Sequence, residues 1–156
     1  MAITVLNVGI LAIVAAFNSG IFALNRASRT STAAALADAQ MELYRALKYN
    51  SIALDSTALG TVDNTYKCDS ALGGSCPNST SGEVTTTCTG LPNECNPSRP
   101  ANGADHHKYR VDTYITTTTP TNGRAVKLVT VVVRDGGALS ARPFMREAST
   151  FDQSTG

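Results

Sequence analysis

The first 25 residues of this 156-residue chain, MAITVLNVGILAIVAAFNSGIFALN, contain no charged side chain and no proline. All 25 charges fall from Arg26 to Asp152, and all six prolines from Pro77 onward. At about 1.5 Å per residue, such a segment as a helix is long enough to cross a hydrocarbon core of roughly 30 Å. A secretory signal peptide would begin with a basic stretch, whereas Met1 is followed by Ala2, Ile3 and Thr4. A single-pass anchor fits better, although Asn7, Asn18 and Ser19 would each need a hydrogen-bonding partner in an apolar medium. A purely cytosolic enzyme is disfavoured. The net charge of +1, with no basic run, gives no electrostatic footprint for nucleic acid.

The helical pattern continues past the uncharged segment. RASRTSTAAALADAQMELYRALKYNSIAL, from Arg26 to Leu54, is rich in Ala and Leu and free of Gly and Pro. Leu36, Gln40, Leu43, Leu47 and Leu54 recur at spacings of three, four and seven, with Met41 and Tyr44 widening the stripe. Arg29, Asp38, Glu42 and Arg45 face outward. The two stretches predict one continuous helix over about residues 2–53. One small head cannot cover so long a helix, so lipid or copies of the same chain must bury its first half.

Beyond Leu54 the composition shifts to Thr, Ser, Gly, Pro and Cys, which predicts an irregular region over 55–107 with short strands such as one near Glu83 to Cys88. All four cysteines, Cys68, Cys76, Cys88 and Cys95, lie there. Their spacings lack the close CxxC pairs of common zinc sites, so we expect two disulfides made in an oxidising compartment. Three connectivities are open, with pairing of nearest neighbours favoured by proximity along the chain.

From Tyr109 the period changes to two. YRVDTYITTTT places Tyr109, Val111, Thr113 and Ile115 on one face and Arg110, Asp112, Tyr114 and Thr116 on the other. The turn PTNG leads into RAVKLVTVVVRD, apolar on both faces near its middle and therefore expected as the central strand. The turn RDGG leads to a third strand, Leu139 to Phe144, whose Pro143 suits an edge. Three strands cannot bury their apolar face alone, and the helix stripe is the obvious cover. The expected class is α+β: a hydrophobic helix over 1–25 and a head over 26–156. The head divides into an amphipathic helix half (26–54), the cysteine-containing loops (55–107), a β-meander (108–147) and a polar tail (148–156).

Other candidate sites carry less. Asp105, His106 and His107 form the one histidine cluster, but adjacent residues of an extended chain point apart, so no metal is expected. Asn78 begins a glycosylation sequon, Asn-Ser-Thr, in an expected surface loop. There is no P-loop, GxSxG or HExxH, and we expect neither enzymatic activity nor a cofactor.

An apolar first helix, its amphipathic continuation, a connecting loop, an antiparallel sheet and a cysteine-stapled region, in that order, resemble the type IV pilin and pseudopilin family. TVLNVGILAIVAAFNSGIFALNRASRTSTAAALADAQMELYRAL is similar to the long first helix of pilins, and VDTYITTTT with VKLVTVVVRDGG is similar to the sheet of several minor pilins. The resemblance implies a mature form with Met1 as its processed, methylated first residue. It also implies a single-pass wait in the membrane and extraction by a pilus assembly machinery into an extracellular filament of identical subunits. Adhesion, motility or DNA uptake would follow. A minor pilin, a secretion pseudopilin and a membrane-anchored binding module are the alternatives. Small residues, Gly9, Ala12, Ala15, Ala16 and Gly20, would let helices approach closely in the filament core. Asn18, Ser19 and Gly20 make the weakest helical point, so any local melting in a filament is expected near residues 17–20. The family usually carries Glu at mature position five. Here that position is Val5; with Ile3 matched to the first residue instead, Asn7 takes the place, polar but uncharged and able to accept a hydrogen bond from a neighbour's amine.

Overall fold

The computed structural model describes residues 2–74, 76, 80–121 and 123–153, with side chains in the long helix from Ile13 onward. That helix, α1, spans Ala2–Arg45 and runs unbroken through Asn18, Ser19 and Gly20. It is followed by β1 (Leu54–Asp55), α2 (Ser56–Gly60), α3 (Asn64–Lys67), β2 (Thr85–Thr86), β3 (Ser98–Asn102), β4 (Lys108–Thr118), β5 (Val126–Asp135) and β6 (Met145–Phe151). The α+β class and the antiparallel sheet agree with the sequence reading.

The helix stops at Arg45, short of the expected residue 53. Leu47 N donates to Tyr44 O, tightening the last turn, and Ile52, Ala53, Leu54 and Asp55 then run buried through the interior. Carbonyls freed by the break are collected by one side chain: Lys127 Nζ donates to Tyr49 O at 2.8 Å and to Ile52 O at 2.7 Å. Leu54 therefore belongs to β1 and not to a helical stripe. The buried stripe is Ala33, Ala37, Gln40, Met41 and Tyr44, while Leu43 faces outward and Leu36 is half-buried. The small alanines bring the helix axis close to the sheet, and the larger Met41 and Tyr44 fill the space nearer the helix end.

The main sheet has four strands in the order β3-β4-β5-β6, all antiparallel, rather than three. The strand after β5 is Met145–Phe151, so residues 139–144 lead into it and residues 148–151 belong to the sheet instead of a polar tail. On the other side, Pro100 sits in the edge strand β3, where its missing N–H costs no ladder bond. Register sets the faces: Val111, Thr113 and Ile115 of β4 lie opposite Val133, Val131 and Val129 of β5, all toward α1. The reverse face carries Asp112, Tyr114, Val132 and Arg134 and is covered by the segment after Asp55. Tyr66 from that segment stacks on Tyr114, ring centroids 4.3 Å apart. The molecule thus has three layers: helix, sheet, and a coat of short elements.

Aspartates start each piece of that coat. Asp55 accepts from Thr57 N and Ala58 N, Asp63 from Tyr66 N, and Asp69 from Ala71 N, each capping the turn that follows. Asp55 also accepts from Cys88 N, tying the later loop to the same corner. Cys68 is joined to Cys76 and Cys88 to Cys95, the nearest-neighbour pairing.

Among the described residues no helix is long and apolar enough to cross a membrane, so the single-pass expectation is not supported.

Candidate functional site

Every described side chain from 13 to 31 is exposed, and most of them are apolar or small. Phe17 and Phe22, at 70% and 75% exposure, project on opposite sides of the helix. Ile13, Ala16, Phe17, Gly20, Ile21 and Leu24 line a shallow groove along one face. At its centre, a Cβ placed on Gly20 would meet nothing within 4 Å, so the groove is open to a neighbouring surface. Large apolar side chains exposed over about half of a helix's circumference have no structural use within one chain. Burying Ile13, Val14, Phe17, Ile21, Phe22 and Leu24 would contribute about 1.5–3 kcal/mol each. Ala16 and Gly20 thus share this groove, whereas Asn18, two positions from each, is exposed on the opposite side of the helix. Val5, Asn7, Gly9 and Ala12 lie within α1, but their side chains, Met1, and the sequon residue Asn78 lie outside the described residues.

The head grips α1 just after this surface ends. Tyr109 Oη donates to Asp105 Oδ2 at 2.6 Å and also lies 3.4 Å from Arg29 O. His107 Nε2 is 3.1 Å from Asp135 Oδ2, which is also 3.9 Å from Arg29 Nη1. Gly103 fits where no side chain would: an added Cβ would stand 2.5 Å from Tyr109 Cε2 and 2.6 Å from Thr32 Cγ2. The Tyr109 hydroxyl bond, opposed by partial desolvation, holds the Asp105 carboxyl below the usual range. Bonds from Gly137 N and from His107 lower Asp135 similarly. The histidine cluster therefore serves as a collar for the helix. Among the described residues, no group of three His, Cys, Asp or Glu side chains stands close enough to hold a metal ion.

On the reverse face of the sheet lies a charge network absent from the sequence reading. Asp112, fully buried, accepts from Arg134 Nε at 3.0 Å, Arg110 Nη2 at 2.9 Å and Ser98 Oγ at 2.7 Å. Arg134 continues to Asp69, Arg146 reaches Asp69 at 2.8 Å, and Arg110 continues to Asp63. Three aspartates meet three arginines, so the charges of the network balance, with Asp112, Asp69 and Arg134 buried and Asp63 and Arg146 at its solvent-exposed ends. For Asp63, burial pushes its carboxyl up, but bonds from Arg110 and Tyr66 N outweigh that and lower it. Charged residues placed inside otherwise apolar strands, RVD and VVVRD, are the sequence signal that could have revealed this network. It fastens the coat to the sheet and leaves the carboxylates fully engaged.

The chain matches no family model, no curated protein and no solved structure.

Proposed function

We propose that this chain is a structural subunit of an extracellular filament of the type IV pilin kind, assembling with copies of itself through α1. The reading is carried by one observation: residues 13–31 are exposed on all sides, while the head buries a continuous stripe of the same helix, Ala33, Ala37, Gln40, Met41 and Tyr44. A surface that large and that apolar needs a cover, and copies of the same helix supply one, with Ala16 and Gly20 allowing close approach. The pilin-like order of elements and the disulfide-clipped head support the same conclusion, since disulfides persist outside reducing compartments. The role is structural, with adhesion, motility or DNA uptake as consequences of the assembled filament.

Electron microscopy and sedimentation of the full chain test the proposal. Wild type should form filaments, and Phe17→Lys and Ile21→Asp should abolish them while leaving the head's near-UV circular dichroism unchanged. Filaments of unchanged yield from both variants would refute assembly through this surface.

A further inference from the structure

Glu83 is 7% exposed, and its neighbours are unusual for a carboxylate. Tyr66 Oη lies 2.6 Å from Glu83 Oε1 and 2.6 Å from the carbonyl oxygen of Thr113. A phenol carries one proton, and a carbonyl can only accept. Both contacts are hydrogen bonds only if a second proton comes from Glu83: the carboxylic acid donates to Tyr66 Oη, and Tyr66 donates to Thr113 O. An ionised Glu83 would leave one close oxygen pair with no proton between them. It would also leave buried charge beside Oε2, which has no hydrogen-bond partner. Among the described residues, no Lys or Arg forms an ion pair with Glu83. The titratable groups facing this pair are Tyr66 from α3 and, from β4, Tyr114 with Asp112 beyond it, all neutral or acidic.

The position of Glu83 gives its proton a structural consequence. β3 begins at Ser98 opposite Asp112, so the outer edge of β4 beyond Thr113 needs another cover. The strap at residues 83–86 supplies it. Glu83 bridges Thr116, Val84 N donates to Ile115 O at 2.7 Å, and Leu54 N donates to Val84 O at 2.9 Å, with β2 then pairing β1.

We propose that Glu83 is a proton-operated latch: protonated, it clasps the 83–86 strap onto α3 and the outer edge of β4, and ionised, it loosens that strap. Burial pushes its carboxyl up to about 7, opposed only in part by the Tyr66 hydroxyl and the Ile115 backbone. The closed strap therefore holds a proton that the open strap, with an ordinary carboxyl near 4.5, has released. Opening becomes easier by up to tenfold per pH unit across that interval and levels off above it.

Two measurements on the full chain test the latch. Carboxyl carbon NMR should show Glu83 titrating near neutrality. Amide exchange at Val84, corrected for intrinsic rate, should lose protection between about pH 5 and 7. Glu83→Gln, whose amide donates where the acid did, should keep the strap closed and remove this pH dependence. A Glu83 carboxyl already ionised at about pH 5 would overturn the proposal whether or not the variant folds. So would a folded Glu83→Gln chain retaining the wild-type pH dependence.

Discussion

Asp112 shows how much one side chain decides in this head. Its carboxylate joins Arg110, Arg134 and Ser98, and through the arginines it reaches Asp63 and Asp69 in the coat. Asp112→Ala would leave two guanidinium groups without the partner that lets them lie inside the protein. The expected loss is about 3–5 kcal/mol, read from urea unfolding, because breaking a buried network leaves uncompensated charge. A loss near zero would mean that the arginines reach water when the partner is gone. The alternation of β4 made Asp112 legible as a residue opposite Val111, but not as buried. Only the coat, folding back over that face, takes it out of water.

At the scale of elements, long periodic segments were the most legible. The 3.6-residue period marked α1, and the period of two marked β4 and β5 with the faces that the register bears out. The end of the helix was not legible, since nothing in the helix formers ALKYN signals a stop. The stop depends on Lys127, which is far away in sequence and collects the Tyr49 and Ile52 carbonyls. Lys127→Met should preserve the apolar stem and remove both bonds. We expect a loss of about 1.5–3 kcal/mol, the range for hydrogen bonds to a charged group, measured by thermal or urea unfolding. β3 and β6 were missed for a related reason: SRPAN and MREASTF are half-polar edge strands whose pairing comes from β4 and β5. The aspartate caps of the coat have a local signal in LDST and VDNT, where an N-cap residue precedes each short helix, although helices of four and five residues leave no apolar period to mark them.

For the whole molecule, the division between a closed head and an uncovered helix has a direct thermodynamic consequence. Deleting residues 2–24 removes no described buried side chain, so the head should unfold within about 0.5 kcal/mol of the full chain by urea denaturation. A larger loss would show that the projecting half contributes to the fold. The pH dependence of stability follows from groups shifted in opposite directions. Asp63, Asp105 and Asp135 are lowered in the folded state, so their contribution is present above the ordinary carboxylate range and is lost as pH falls through their folded values. Glu83 is raised to about 7, so its contribution is present below about 4.5 and is lost as pH rises through 7. That shift corresponds to about 3 kcal/mol. Glu147 is raised as well, by burial and by Asp38 beside it, and acts in the same direction. Urea midpoints should therefore peak near pH 4 to 5 and decline on both sides, and Glu83→Gln should flatten the alkaline limb.

By itself, the sequence determined what depends on local order along the chain: the uncharged helix and its amphipathic continuation, the two long strands, and cysteines spaced for short loops. Each rests on side-chain periodicity or composition, which acts between residues a few positions apart. Tertiary structure alone decided where the helix ends, which strands flank the long pair, and that both faces of the sheet are covered. It also decided that Glu83, Asp112 and Lys127 lie away from water. A buried charge or carboxyl takes its meaning from the groups packed around it, and in this fold those groups come from segments tens of residues away.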